Sequence, residues 1–164
     1  PLDGRRDTAR ELAPSAGAGD QLRLLTQLTS SPPYSAVAHL TGVIHGKDFG
    51  AYGVCWYDGT KVTLFGFEWD SGLKLSVANY TNVTTFSANQ YQAPAAFPFP
   101  WLRLRDDNSN RYAEVSADGT TWITMVSFTR TTFMTPTRVG VALNPANAAT
   151  PNLSVALNLI SWTK

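Results

Sequence analysis

Apolar and polar residues alternate singly along much of this chain. From Trp101 to Arg105, Leu102 and Leu104 alternate with Trp101, Arg103 and Arg105, the two-residue period of a strand buried on one face. Asp106–Asn110 is a run of turn formers whose side chains bond to their own main chain. Arg111–Ser116 returns with Ala113 and Val115 suited to the core. Tyr112 and Glu114 then share a side with Arg103 and Arg105, where opposite charges on neighbouring strands help set register. Asp118-Gly119 is a hairpin signal, since both residues accept positive φ. Trp122, Ile123 and Met125 open a third strand.

The same reading predicts strands at Gln21–Thr29, Tyr34–His45, Ala51–Tyr57, Lys61–Trp69, Leu73–Asn79, Thr121–Thr129, Arg138–Leu143 and Leu153–Trp162, with a shorter one at Thr81–Phe86. Pro32-Pro33 interrupts strand hydrogen bonding. Asp58-Gly59 is a second hairpin turn, and Gly46–Phe49 and Asp70–Gly72 are further turns. Ser87–Pro100, rich in Pro, Ala and aromatic residues, is expected to be the longest irregular segment. Thr131–Pro136 is a crossing and Asn144–Asn152 a loop. No segment carries a 3.6-residue pattern, and no fixed-period repeat is present. About twelve short strands with frequent turn signals predict an all-β, two-sheet antiparallel β-sandwich, a jelly roll, over residues 21–164. Residues 1–20 are read as an N-terminal arm or linker, or as a docking arm to a neighbouring subunit, with a short strand or helical turn at Thr8–Leu12.

Composition narrows the picture. Charged residues make up 15% and hydrophobic residues 43% of the 164, so the chain can build one sizeable core. A net charge of +1 gives no basis for nucleic-acid or anionic-membrane binding. No apolar run approaches the ~18 residues of a membrane-spanning helix. The chain opens on Pro1 without a secretory signal pattern, as expected of a processed chain or a segment of a longer polypeptide. Cys55 is the sole cysteine. Within VCWY it reads as a small buried hydrophobe, because neither His39 nor His45 lies in a motif that would make it a nucleophile.

Five stretches together carry a resemblance: YGVCWYDGTKVTLFGFEW (Tyr52–Trp69), WLRLR (Trp101–Arg105), SADGTTW (Ser116–Trp122), RVGVALN (Arg138–Asn144) and LISW (Leu159–Trp162). In that order the chain resembles a concanavalin A-like (LamG-type) jelly-roll domain, of the lectin and glucanase kind, as found in bacteriophage virion and tail proteins and beside bacterial glycoside hydrolases. The resemblance implies two stacked antiparallel sheets, one of them concave, and a binding role. It implies a virion protein on the particle surface, decorating the capsid or forming part of a tail or fibre. Other virion proteins, a glycan, and further copies of the chain in a homo-oligomer such as a trimer are its expected partners. The alternative it implies is a carbohydrate-binding accessory module of a secreted bacterial glycoside hydrolase.

Candidate chemistry is sparse. SADGTTW is similar to the Asp-box of sialidases, but Gly119 follows Asp118 directly, and turn chemistry accounts for Asp118. Glycoside hydrolysis needs two carboxyl groups flanking the bond. Glu68-Trp69-Asp70 is the best local pair, yet where the laminarinase-type pattern has a further acid this chain has Leu73. Asp106–Asn110 has alternating oxygen ligands, but Arg111 and Ala117 stand where a calcium loop of the EF-hand type needs Gly and Glu. Zinc spacings and phosphate-binding glycine loops are absent. The expectation is therefore a non-enzyme with no cofactor and no metal.

Trp56, Tyr57, Trp69, Tyr80, Tyr91, Trp101 and Tyr112 are aromatic candidates for sugar stacking, most of them expected in the core. Alternation singles out Trp101, Arg103, Arg105, Tyr112 and Glu114 as one mixed aromatic and charged face, the candidate ligand or partner contact. Two readings of this face stand side by side. It is a contact surface, or its Arg stems cover the rings and its Arg–Glu pairs set register.

Overall fold

The computed structural model describes residues 20–44, 49–145 and 155–164. Among these the chain forms strands and turns and no helix: β1 (Arg23–Leu28), β2 (Tyr34–Ile44), β3 (Ala51–Tyr57), β4 (Val62–Trp69), β5 (Leu73–Asn82), β6 (Thr85–Pro94), β7 (Trp101–Asp106), β8 (Asn110–Ser116), β9 (Ile123–Thr129), β10 (Arg138–Asn144) and β11 (Val155–Thr163). They form two antiparallel sheets, of order β1-β10-β3-β4-β5-β6 and β11-β2-β7-β8-β9. The predicted all-β sandwich is the observed fold. The predicted arm except Asp20, the Gly46–Phe49 turn except Phe49, and most of the Asn144–Asn152 loop fall outside the described residues.

The main core lies between the sheets. Trp56, Phe65, Phe67, Val77 and Val139 from the six-stranded sheet meet Ala36, Ala38, Leu40, Leu102, Leu104, Ala113 and Val115 from the five-stranded one. Each of these side chains recurs at every second position of its strand, because alternate side chains leave opposite faces.

Two expectations are corrected. Thr81–Phe86 is not a separate strand: β5 runs through Asn82, and a turn leads into β6. Ser87–Pro100 is not irregular throughout, since β6 covers residues as far as Pro94 and pairs with β5. The reason is physical. The β5–β6 ladder shifts register at three places, and β6 is an edge strand with side chains exposed on both faces. A bulge breaks the two-residue alternation by which a strand is recognised.

The six-stranded sheet buries its outer face as well. Leu22, Ala51, Cys55, Val62, Leu64, Ala78, Tyr80 and Ala142 form a second apolar cluster there. Ala142, Gly53, Gly66 and Ser76 occupy one row across four neighbouring strands. A Cβ on Gly53 would stand 2.1 Å from the Phe65 carbonyl oxygen, and one on Gly66 2.1 Å from that of Tyr52. Strands this close leave room only for hydrogen, which lets the sheet bend towards its outer side. The bend brings its two edges together. The Leu22 amide, just before β1, donates to the carbonyl of Val83 in the β5–β6 turn at 2.8 Å. Cys55 is wholly enclosed, and burial pushes its thiol pKa up to about 12, as expected of a structural cysteine.

Candidate functional site

The face singled out by alternation exists as one surface on the outside of the five-stranded sheet. Leu102, Leu104, Ala113 and Val115 are buried, so Trp101, Arg103, Arg105, Tyr112 and Glu114 point the other way. Arg103 lies opposite Glu114 in the β7–β8 ladder, and Arg105 opposite Tyr112. Glu114 is only 2% exposed. Its carboxylate accepts from Arg103 Nε at 2.5 Å, from Arg105 Nη2 at 3.1 Å and from the Thr124 hydroxyl at 3.1 Å. Burial alone would raise the Glu114 pKa, but the two arginine bonds outweigh it and hold the carboxyl below its ordinary value.

The rings on this face are partly covered. The Arg105 guanidinium lies 3.6 Å from the Tyr112 ring centre and that of Arg103 4.2 Å from the Trp122 ring. Trp101 stacks on His39, with ring centres 4.1 Å apart and planes 15° from parallel. Tyr112 donates its hydroxyl to Asp107 at 2.7 Å. His39 and Trp122 thus belong to the cluster, although the sequence reading did not place them there. His39 arrives by pairing of β2 with β7, a partner far away in sequence. Arg103, Arg105, Tyr112 and Glu114 are thus all engaged by neighbours on this face.

A second site lies beside the Glu68 end of β4, on the outer face of the bent sheet. Asp20, Phe49, Glu68, Asp70, Tyr80, Phe86, Asn89 and Gln92 line a cleft of about 390 Å³. That volume is in the range of small-molecule sites. Glu68 closes β4 on the outer face and Gln92 reaches it from β6 across Ser76 of β5. The Gln92 amide nitrogen donates to both Glu68 and Asp70, the latter at 3.2 Å. Lys74 donates to Asp70 at 2.7 Å, and this bond draws the Asp70 carboxyl below its usual range. Glu68 behaves oppositely. Its burial raises the pKa, against the opposing hydrogen bonds from Gln92 and Ser76.

Two aromatic rings flank these polar groups. Phe49 is 57% exposed and Phe86 45% exposed, unusual for phenylalanine. Phe86 meets Tyr80 edge-on at 5.7 Å. Phe49 is held by its amide, which donates to the Trp69 carbonyl at 2.5 Å, and by the Trp69 amide donating to Gly50 at 2.9 Å. Its φ of 75° is costly for a residue with a side chain, and such geometry tends to concentrate at ligand sites.

The sequence brought Glu68 and Asp70 forward as a carboxyl pair. It missed Phe49, Phe86, Asn89 and Gln92. Phe86 was assigned to a short strand, and Asn89 and Gln92 to an irregular segment. The usable signal was the run of polar residues between Phe86 and Tyr91, too polar for a core strand and too regular for a loop. Of the other aromatics, Trp56 is wholly core, Tyr91 packs against the main core, and Tyr80 and Tyr57 belong to the outer cluster. Trp69 is exposed. Asp118 serves its turn, accepting from the amides of Thr120 and Thr121 at 2.8 Å each and from the Ser116 hydroxyl at 2.9 Å. Asp106 of the turn run is buried and bound to Arg130 at 2.9 Å. No group of three or more metal-ligating side chains occurs among the described residues.

The chain matches no protein-family profile and no curated protein sequence. It is similar to several solved structures. A functionally unknown protein from Saccharomyces cerevisiae superposes with a TM-score of 0.60 at 15% identity, over 85% of this chain and 71% of that one. A legume lectin-like domain from Entamoeba histolytica gives 0.55 at 13% identity, over 98% of this chain and 88% of that one. A GH43 protein from Bacillus licheniformis gives 0.55 at 16% identity, over 79% of this chain but only 26% of that longer one. At such identities the likeness shows the fold alone, a two-sheet antiparallel β-sandwich, and nothing about ligands.

Proposed function

We propose that this chain is a non-catalytic carbohydrate-binding β-sandwich module whose glycan site is the cleft beside Glu68, Asp70 and Gln92. The observation that carries this reading is the exposure of Phe49 and Phe86 in the lining of a cleft that also holds carboxylates and amides. A pyranose has apolar C–H faces that stack on aromatic rings, and hydroxyls that both donate and accept. Convergent polar groups between apolar walls suit both demands. Likeness to a legume lectin-like domain supports the reading. The non-catalytic part rests on Leu73, which takes the place of the further acid, and on Asp70, whose carboxylate is engaged by Lys74 and Gln92.

The resemblance of Tyr52–Trp69 and Trp101–Arg105 to modules of phage virion and tail proteins supports a place on the surface of a phage particle. There the module would decorate the capsid or belong to a tail or fibre, bind host surface glycans, and assemble with other virion proteins as a homo-oligomer such as a trimer. The face of Trp101, Arg103, Arg105, Tyr112 and Glu114 is then the proposed contact with a neighbouring subunit, because Trp, Tyr and Arg are enriched at interfaces. A second reading is favoured by one observation: the chain aligns to about a quarter of a longer GH43 protein. That suits an accessory module of a secreted bacterial glycoside hydrolase.

A glycan array probed with the wild-type protein and with Phe86→Ala tests the site. Binding that is lost in Phe86→Ala, with unchanged circular dichroism, supports it. Binding unaffected by Phe86→Ala overturns the assignment to the cleft. Hydrolysis of any glycan, abolished by Glu68→Gln, overturns the non-catalytic reading.

A further inference from the structure

Between the two sheets, one row crosses the five-stranded sheet: Tyr34, Asp106, Arg111 and Phe128, in register on β2, β7, β8 and β9. Trp56 of the other sheet faces it. Arg111 is completely buried, its guanidinium carbon 5.0 Å from the Trp56 ring centre and 4.7 Å from that of Phe128. One of its nitrogens, Nη2, donates to the Thr132 carbonyl. Nε and Nη1 have no protein acceptor, and Trp56 Nε1 and the Tyr34 hydroxyl, which influence one another, do not complete a hydrogen bond. Four of the five partnerless buried side-chain polar atoms among the described residues therefore belong to these three side chains.

Their chemistry is one-sided. Arg Nε–H, Arg Nη1–H and indole N–H can only donate, and the phenol can donate too. The carboxylate that influences Arg111 most, Asp106, is already engaged by Arg130 at 2.9 Å and by the Asn108 amide at 2.9 Å. Tyr34 is no counter-ion, because burial pushes its pKa up to about 12. Arg111 is lowered by burial only to about 10 and so keeps its charge at neutral pH. Asp106 is held by the partly exposed Arg130 and makes no hydrogen bond to Arg111, so the buried guanidinium has no directly bonded carboxylate. A buried charge without a hydrogen-bonded partner of opposite sign is strongly unfavourable. A water molecule could accept from two of the donors, but it brings two protons of its own to place and no charge to offset Arg111. A spherical anion needs donors alone.

We propose that Arg111, Trp56 and Tyr34 hold a small monovalent anion of the charge and size of chloride between the two sheets. Bound there, it neutralises Arg111 and links Trp56 of the six-stranded sheet to Arg111 and Tyr34 of the five-stranded one. The site lies between the sheets, on the other face of the six-stranded sheet from the cleft, and does not depend on glycan binding.

Bromide replaces chloride and scatters anomalously. Crystals grown in sodium bromide should show an anomalous peak beside Arg111. At constant ionic strength, the unfolding temperature should rise as bromide or chloride replaces the bulky gluconate ion, on the order of 5 °C over a hundredfold range above the dissociation constant. Tyr34→Phe, which removes one hydroxyl, should reduce that rise, and Arg111→Met should abolish it. Should Arg111→Met fail to fold, Tyr34→Phe and the wild-type diffraction still decide. Bromide peaks only at surface sites, a water refined beside Arg111, or equal unfolding temperatures in bromide and gluconate would each overturn the proposal.

Discussion

A Cβ atom on Gly119 would stand 2.8 Å from Cε2 of Trp101. The glycine that turns the β8–β9 hairpin is therefore also the floor on which the Trp101 indole rests. Gly119 has φ of 77°, so two independent reasons exclude a side chain there.

Gly119→Ala should destabilise the domain by about 2–4 kcal/mol, the sum of a left-handed backbone penalty and an overpacking penalty. Gly59→Ala is the control. Its φ is 107°, but nothing lies within 4 Å of a new Cβ, so only the backbone term of about 1–2 kcal/mol applies. Urea denaturation of both variants checks the difference. Equal losses would mean that Trp101 yields freely.

Glu114→Gln should cost about 1–3 kcal/mol at neutral pH, less than a fully buried pair because Arg103 and Arg105 are partly solvated. The pH dependence follows from the direction of its shift. A carboxyl lowered on folding stabilises the native state above its unfolded pKa of about 4.3. That contribution disappears as pH falls through the lower, folded value. The gap between wild type and Glu114→Gln in urea titrations should therefore narrow on acidification below about pH 4.

Glu68→Gln should behave in the opposite sense. A carboxyl raised on folding favours the native state below its unfolded pKa, and that advantage is lost as pH rises through the folded value. Relative to wild type, Glu68→Gln should gain stability as pH rises from about 4 to 7. Thermal unfolding across that range measures it. A flat difference would place the Glu68 carboxyl in ordinary solvent.

Trp101→Ala separates the two outer faces. It removes the stack on His39 and the cover over Gly119, with an expected loss of about 1–3 kcal/mol and the fold retained. Glycan binding in the cleft should be unchanged. If this face joins subunits, light scattering should show the wild-type oligomer dissociating in the variant. A wild-type monomer at high concentration would remove the assembly role.

Much of the local structure was legible because its causes are local. Trp101–Ser116 declares its own facing: two leucines, one alanine and one valine at alternate positions put Arg103, Arg105 and Glu114 on the other side, and the structure has them there. Asp58-Gly59 and Asp118-Gly119 declare their turns through the φ they tolerate. The β5–β6 ladder was illegible for an equally local reason, since its bulges erase the alternation.

The candidate site was legible only in fragments. Glu68 and Asp70 are two residues apart and could be read as a pair. Phe86, Asn89 and Gln92 are brought in by the β5–β6 pairing and Phe49 by its backbone bond to Trp69, neither of which a short window shows.

By itself the sequence determined an all-β sandwich, its hairpin turns, the inward and outward faces of β7 and β8, and a buried, inert Cys55. These follow from a two-residue period, turn propensities and hydrophobicity, each acting within a few residues. Tertiary structure alone decided that Ala142, Gly53, Gly66 and Ser76 line up across four strands and let the sheet bend. It alone placed Leu22 on Val83, opened the cleft beside Glu68, and closed Arg111 behind Trp56. Strand order and curvature arise from pairing between residues far apart in the chain, and a row across a sheet has no counterpart along the sequence.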